Sequence, residues 1–450
     1  MANVKSLDKK VLKLLEEKKY KEIKDIFSSM NPVDIAAFLQ NFSDKNTLLL
    51  FRILPKGLAA EAFVEMDYDQ QEMLIGSFSD TELHEVIEEL YIDDMVDIVE
   101  EMPANVVKRI LENSDSNTRQ LINEILKYPT DSAGSIMTTE FITLNAGMTV
   151  GDAIKRIREK GLDSETIETC YVTDNVRHLI GVVTIRTIIL SDENARIEDV
   201  MSRNVISVGT TEDQETVANL FAKYGLTVLP VVDNENRIVG IVTVDDAIDV
   251  LQRETTEDIE KMAAITPTDK PYLKKNAIEI WKSRIPWLLI LMISATFTGM
   301  IISRFEDALK AYVILTAYIP MLMDTGGNSG SQASVTVIRS LSLNELGFGD
   351  ILRVAWKEFC VAFMCSMTLA LVYFLKLMLF DGTGINVAMV ICITLIFTVF
   401  VAKLVGCILP MTAKKIGFDP AVMASPFITT IVDAISLLIY FNIARFVLHI

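Results

Sequence analysis

Asp433 is the residue in this chain whose surroundings most demand a chemical reason. It sits in the run ITTIVDAISLLIYF, where an ionised carboxylate at membrane depth costs at least about 2.5 kcal/mol unless it meets water or a cation. Two such carboxylates around a two-fold axis suit a divalent cation. A second run, PMLMDTGGNSGSQAS from Pro320 to Ser334, is too polar and glycine-rich to face lipid. Within it Asp324, Asn328 and Gln332 recur every four residues on one helical face, and with Pro320, Gly326 and Gly327 they are expected to line a hydrated path. Gly326, Gly327 and Gly330 also permit close helix approach, so a small-residue packing seam is a compatible alternative.

The third constellation is clustered acid. Glu88, Glu89, Asp93, Asp94, Asp97, Glu100 and Glu101 form one group, Asp245, Asp246 and Asp249 a second, and Glu254, Glu257, Asp258 and Glu260 a third. Taken singly, each reads as a solvated surface charge; together they could sense cations. His84, His178 and His449 are scattered and no C-x-x-C pair occurs, so carboxylate oxygen is the plentiful ligand type and hard cations are favoured over zinc.

The elements that must position these residues fall into contrasting regions. Residues 1–275 hold 50 acidic and 30 basic side chains, whereas residues 276–450 hold ten and twelve. So acidic a front half repels nucleic acid and concentrates cations, and nucleic acid is excluded as a partner. Met1 to Lys10 lacks the apolar stretch of a secretory signal, which leaves the front half in the cytoplasm. Residues 1–130 show apolar positions at helical spacing, with helix starts expected at Asn31-Pro32 and Ser79-Asp80 and boundaries at Leu54-Pro55 and Met102-Pro103. From residue 131 to 250 a pattern of strand, helix and paired strands occurs twice. The first copy has a helix over 150–160, a strand over 169–173 and GVVT from Gly181; the second has a helix over 216–224, a strand over 228–232 and GIVT from Gly240. An acidic amphipathic helix to about Ala264 and the linker ITPTDKPY complete residues 251–275.

Residues 276–450 contain five expected membrane spans, at 285–303, 311–341, 354–380, 385–412 and 421–448, each long enough for a hydrocarbon core of about 30 Å. Lys274, Lys275, Lys282, Arg284, Arg339, Arg353, Lys357, Lys414 and Lys415 flank one side of these spans. Only Arg304, Lys310, Lys376 and Arg445 flank the other. This asymmetry places the N-terminus inside and the C-terminus outside. An odd span number without an inverted repeat favours a pore between subunits over a two-repeat transporter.

The duplicated units resemble a pair of CBS modules, and the run PMLMDTGGNSGSQ with PFITTIVD and the opening WKSRIPW resembles the MgtE family of magnesium channels over the whole chain. The fold implied is multidomain: an N-terminal α-helical superhelix, a tandem α/β CBS pair, a long connecting plug helix and an all-α membrane domain with five transmembrane helices. The resemblance implies a homodimer in the bacterial inner membrane, a pore lined by the second and fifth spans, and Mg²⁺ recognition by Asp433. It also implies that cytosolic Mg²⁺ binds Asp93, Asp94, Asp97, Glu101, Asp245, Asp246, Asp249, Glu254, Glu257, Asp258 and Asp419, the last on the loop above which the plug closes the pore. Mg²⁺ sheds water reluctantly, so a site fitted to the hydrated ion avoids the dehydration cost. Thr243 and Asp246 match the T-x-x-D pattern for ribose contact, which makes ATP a regulatory ligand to expect, although Thr187 replaces the acid in the first copy. The reading from another class is an ion-coupled secondary divalent-cation transporter. An enzyme is not expected, since there is no P-loop, G-x-S-x-G, H-E-x-x-H or His/Cys cluster; only a metal-dependent phosphatase stays open.

Overall fold

The structure is a computed structural model that describes residues 2–449 apart from 269, 271 and 424. Met1, two residues of the expected linker (Asp269 and Pro271) and Ala424 of the expected fifth span therefore lie outside the described residues. The chain divides into two compact units, Met1–Leu251 and Gln252–Ile450, with the boundary inside one continuous helix.

The first unit opens with ten short helices, from Ala2–Glu16 to Ser116–Ile125. Their starts are chemically marked. Asn31 accepts the Val33 N–H ahead of Pro32, Ser79 and Glu82 form a reciprocal capping box, and Pro55 and Pro103 occupy the positions before two further helices. Phe27, Ile35, Leu39, Leu50, Phe63 and Leu74 belong to one continuous apolar core. Helix α1 (Ile92–Glu101) turns Ile92, Met95, Val96 and Val99 into that core, so its acids fall on the opposite side.

The duplicated region forms two three-stranded sheets. In the first, β1 (Thr143–Asn145) pairs parallel with β2 (Thr169–Thr173), which pairs antiparallel with β3 (Leu179–Thr184). In the second, β4 (Val208–Gly209), β5 (Val228–Val232) and β6 (Ile238–Thr243) repeat this order, including a register shift at the equivalent place in β2 and β5. The expected strands over 169–173 and 228–232 match; the short β1 and β4 were not resolved from the β-branched runs that contain them. The copies interlock. Thr138, before the first sheet, bridges Ile241 of the second, while Ser202, before the second, bridges Val182 of the first. Gly240 and Gly181 leave room for Met137 and Met201 respectively, because a Cβ at either glycine would overlap the methionine sulfur. Helix α2 (Val244–Met262) then runs from the end of β6 through the boundary between the units.

Among the described residues of the second unit four helices are long and apolar enough to cross a membrane: α3 (Ala277–Arg304), α5 (Ile351–Lys376 with flanking turns), α6 (Ile385–Lys415) and α7 (Ser425–Leu448 with the turn before it). The expected span over 311–341 is not one rod. A short helix ends at Ala311, a 3₁₀ segment covers Val313–Tyr318, and α4 runs from Ile319 to Ser342. Pro320 explains the late start, since its ring is tolerated in a first turn but not inside a helix. Tyr440 holds the 3₁₀ segment by donating its hydroxyl to the Leu315 carbonyl at 2.9 Å.

The helices α4, α6 and α7 meet along a glycine seam. A Cβ on Gly326 would lie 2.7 Å from Thr398 and 2.9 Å from Val432, and one on Gly330 would lie 2.7 Å from Ile428. At Gly406 of α6 the obstruction is the Gly330 backbone carbonyl, which has no rotamer to change. Gly406→Val is therefore expected to cost more than about 2 kcal/mol by overpacking and to lower the thermal midpoint of the detergent-solubilised protein. Gly299→Ala, where nothing lies within 4 Å, is the matched control and should leave the midpoint unchanged.

Candidate functional site

Two sites emerge, one in each unit. In the second unit, α4 buries Gly326, Gly327, Ser329, Gly330, Ala333 and Ser334 against its neighbours and exposes Pro320, Asp324, Asn328 and Gln332. The two expectations for this run are thus divided between faces: Gly326 and Gly327 lie in the seam, and the exposed ribbon is carried by the polar side chains. Asp433, on α7, is half-buried, and its Oδ1 is buried without a hydrogen-bond partner. Asp324 is close enough for the two carboxylates to repel each other. Both carboxylates lie beside the seam, where an incoming cation would relieve that repulsion and satisfy the unpaired oxygen.

At one end of the same unit, the last turns of α2 dock on the helical bundle. Met262 packs against Ile338 and Ala421. Lys261 donates to Asp419 Oδ2 at 2.6 Å and also pairs with Glu257, while Asp419 Oδ1 accepts the Ala421 N–H at 2.8 Å. Asp419 and Glu257, both expected as cation ligands, are thus engaged by a lysine ammonium in this arrangement. Glu254 and Asp258 lie on the same stretch of α2 and are half-buried.

The first unit holds the acidic site. Asp93 and Asp94 of α1 come together with Asp246 at the start of α2, and sequence reasoning missed two further members, Glu140 and Glu165. Glu140 accepts the Ile92 N–H at 3.0 Å and so caps α1 from outside the helical region. Glu165 Oε2 is buried with no hydrogen-bond partner. Glu140 is an isolated acid and Glu165 lies in the sparse run Asp163, Glu165 and Glu168, so neither stood out beside the denser clusters. Asp245 and Asp249 are exposed at the rim, where burial and these two carboxylates raise the pKa of Glu65. Asp97 and Glu101 lie on the exposed side of α1. Thr243 donates its hydroxyl to Asp246 Oδ2 at 2.6 Å, which ties the two expected ribose-contact residues to each other.

Crowding of like charge shows in the proton affinities. Burial first, then repulsion from Asp246, pushes Asp94 up to about 7. Burial and Asp94 push Glu165 up to about 8, and burial raises Asp246 to about 6 against the Thr243 hydrogen bond that lowers it. Asp93 is also raised well above the usual range by burial and Asp246. Between the ordinary carboxylate value near 4 and about 8, the folded form holds protons that the unfolded chain has released. Stability of this unit without divalent cations is therefore expected to fall as pH rises from about 4 to about 8 and then level off. Divalent cation should flatten the slope. Protease protection of the intact chain across this range, with and without the ion, measures it; a stability that rises over the same interval contradicts the placement.

Among the described residues no three Asp, Glu, His or Cys side chains converge on one point as a preformed metal centre.

Comparison with known proteins agrees with this division. Residues 319–443 match a family described as divalent cation transporter (MgtE), residues 30–131 the MgtE intracellular N domain, and residues 133–193 and 197–253 the CBS domain. The chain is 35% identical over 439 residues to the magnesium transporter MgtE of Thermus thermophilus, covering 97% of both proteins. It is 31% identical to that of Bacillus subtilis over 98% of this chain and 97% of the relative. Among solved structures, the cytosolic domain of the Mg²⁺ channel MgtE in complex with ATP is similar at 34% identity and a TM-score of 0.51, over 53% of this chain and 98% of that one. The soluble part of a magnesium transporter is similar at 29% identity and a TM-score of 0.52, over 56% and 99%.

Proposed function

This chain belongs to the MgtE family of divalent cation transporters, a multi-pass membrane protein with a helical N domain and a CBS pair, and on that premise we propose that it is a homodimeric, Mg²⁺-selective channel. The observation that carries this reading is the ribbon Asp324, Asn328 and Gln332, exposed on the single chain within the membrane unit. Lipid offers these groups no hydrogen bonds, so another protein surface and water must cover them. A second copy related by a two-fold axis supplies both. α4 then supplies the second of five spans, since 24 residues give about 36 Å of helix; it fails only the test of apolarity, as a pore-lining helix should. The arginine and lysine asymmetry supports N-in, C-out insertion in the bacterial inner membrane.

Mg²⁺ passes hydrated, with its waters against the two Asp433 carboxylates. Residues 251–275, led by the end of α2, act as the plug. Asp93, Asp94, Asp97, Glu101, Glu140, Glu165, Asp245, Asp246 and Asp249 form a cytosolic sensor in which bridging Mg²⁺ offsets like-charge repulsion and favours the closed state. Glu254, Glu257, Asp258 and Asp419 extend it at the plug, where Mg²⁺ shares the carboxylates with Lys261. ATP is a regulatory ligand of the CBS pair, its ribose against Thr243 and Asp246; the ATP-bound cytosolic domain of a relative supports this. Inside-out patches with Mg²⁺ titrated on the cytoplasmic face test the whole reading. The expected result is a current that follows the Mg²⁺ gradient without a counter-ion and closes as cytoplasmic Mg²⁺ rises. Flux that saturates and requires a coupled ion would instead establish the secondary transporter.

A further inference from the structure

Lys403 is buried in α6 with 4% of its surface exposed, the one buried basic side chain among the described residues. It lies twelve residues before Lys415, the last residue of that helix, which puts it about 18 Å in from the end and near mid-membrane. Its partner is Glu358 of α5, with side chains 5% and 16% exposed and an N···O separation of 3.7 Å. That distance is too long for a hydrogen bond, and the Glu358 oxygen concerned, Oε2, is buried with no hydrogen-bond partner at all. A staple between helices would be expected to close this gap. What remains is a pair of opposite charges that cancel at a distance, in surroundings of low dielectric where an uncancelled charge is felt far away.

The position of the pair says what would feel it. Ala402, the residue before Lys403, and Gly406, one turn on, press against Gly330 of α4. Lys403 thus lies on the helix directly behind the one that carries Asp324, Asn328 and Gln332, with a close-packed seam between. We propose that Lys403 and Glu358 are a charge-balancing pair for the cation path: the ammonium opposes a passing cation and the carboxylate removes that opposition. Both are positioning residues, since neither contacts the ion. The inference rests on the ion path proposed above and adds residues to it.

Its test is a set of signs. Glu358→Gln leaves the ammonium uncompensated and should reduce Mg²⁺ flux roughly ten- to a hundredfold, because a divalent ion feels twice the repulsion of a monovalent one. Lys403→Gln leaves the carboxylate and should hold flux at or above the parent. The double variant should return to within a few-fold of the parent, and Glu358→Asp should conduct like it. A purely structural bridge predicts instead that both single variants lose flux alike. That result, or parental flux in Glu358→Gln, overturns the proposal. Should Glu358→Gln not fold, the comparison of Lys403→Gln with the double variant still decides, the former being expected to exceed the latter. Flux is read in liposomes as a ratio to the parent, so a parent flux found to need a counter-ion would sink the channel reading and leave these signs interpretable.

Discussion

Asp433→Ala is expected to abolish Mg²⁺ uptake while the protein still folds. The carboxylate is half-buried beside the seam with one oxygen lacking any partner, so its removal takes away an energetic liability of the empty protein and, on the ion path proposed above, the principal attraction for the ion. A doubly charged ion held through one water layer by two carboxylates loses enough Coulomb energy for a fall of about a hundredfold or more, even at an effective dielectric of 20. The packing of α7 survives, because Ile428, Val432, Tyr440 and Phe441 supply its buried contacts. Asp433→Asn should rank between Ala and the parent, since it keeps the shape and loses the charge. Uptake at the parental rate in either variant, in vesicles loaded with a Mg²⁺-sensitive dye, would exclude Asp433 from the path.

The second large effect concerns closure. Neutralising Asp245, Asp246 and Asp249 together is expected to leave the pore conducting at cytoplasmic Mg²⁺ that shuts the parent. A swing from 1:99 to 99:1 needs about 5.5 kcal/mol of differential binding, which several weak carboxylate sites can supply only jointly. Asp246 belongs to the buried cluster with Asp93, Asp94 and Glu165, and Asp245 and Asp249 extend it toward Glu65. Removing all three takes the negative field from both sides of the cluster at once. The same substitutions also relieve repulsion, and the two effects have opposite signs. A variant shut at every Mg²⁺ concentration would mean that repulsion relief outweighs ion bridging, and would overturn bridging as the cause of closure.

Features set by near neighbours could be read from residue order alone. The capping of Asn31 and Ser79, the strands over 169–173 and 228–232, the helix over 150–160 and four long apolar helices all depend on contacts within a few residues or on hydropathy. The duplication was legible for the same reason, as was Asp433, since a lone acid in an apolar run is conspicuous wherever it folds. The polar run after Pro320 was recognised as special, yet its period could not say which face packs and which is exposed. That depended on Thr398, Val432 and Ala402 arriving from helices far along the chain.

Long-range electrostatics was invisible in the same way. Glu140, a lone acid, and Glu165, one of three spaced acids from Asp163 to Glu168, are unremarkable until the α1 terminus and Asp246 are brought beside them. Lys403 has no meaning as a lysine in an apolar span until Glu358 is found opposite it, and Asp419, expected as a cation ligand, is found engaged by Lys261. Residue order therefore determined the elements, the repeat and the type of ion these ligands could serve, because those follow from local propensity and hydropathy. Only the tertiary structure decided which charges meet, since burial and proximity, which set the energy of a charge, are properties of the folded chain.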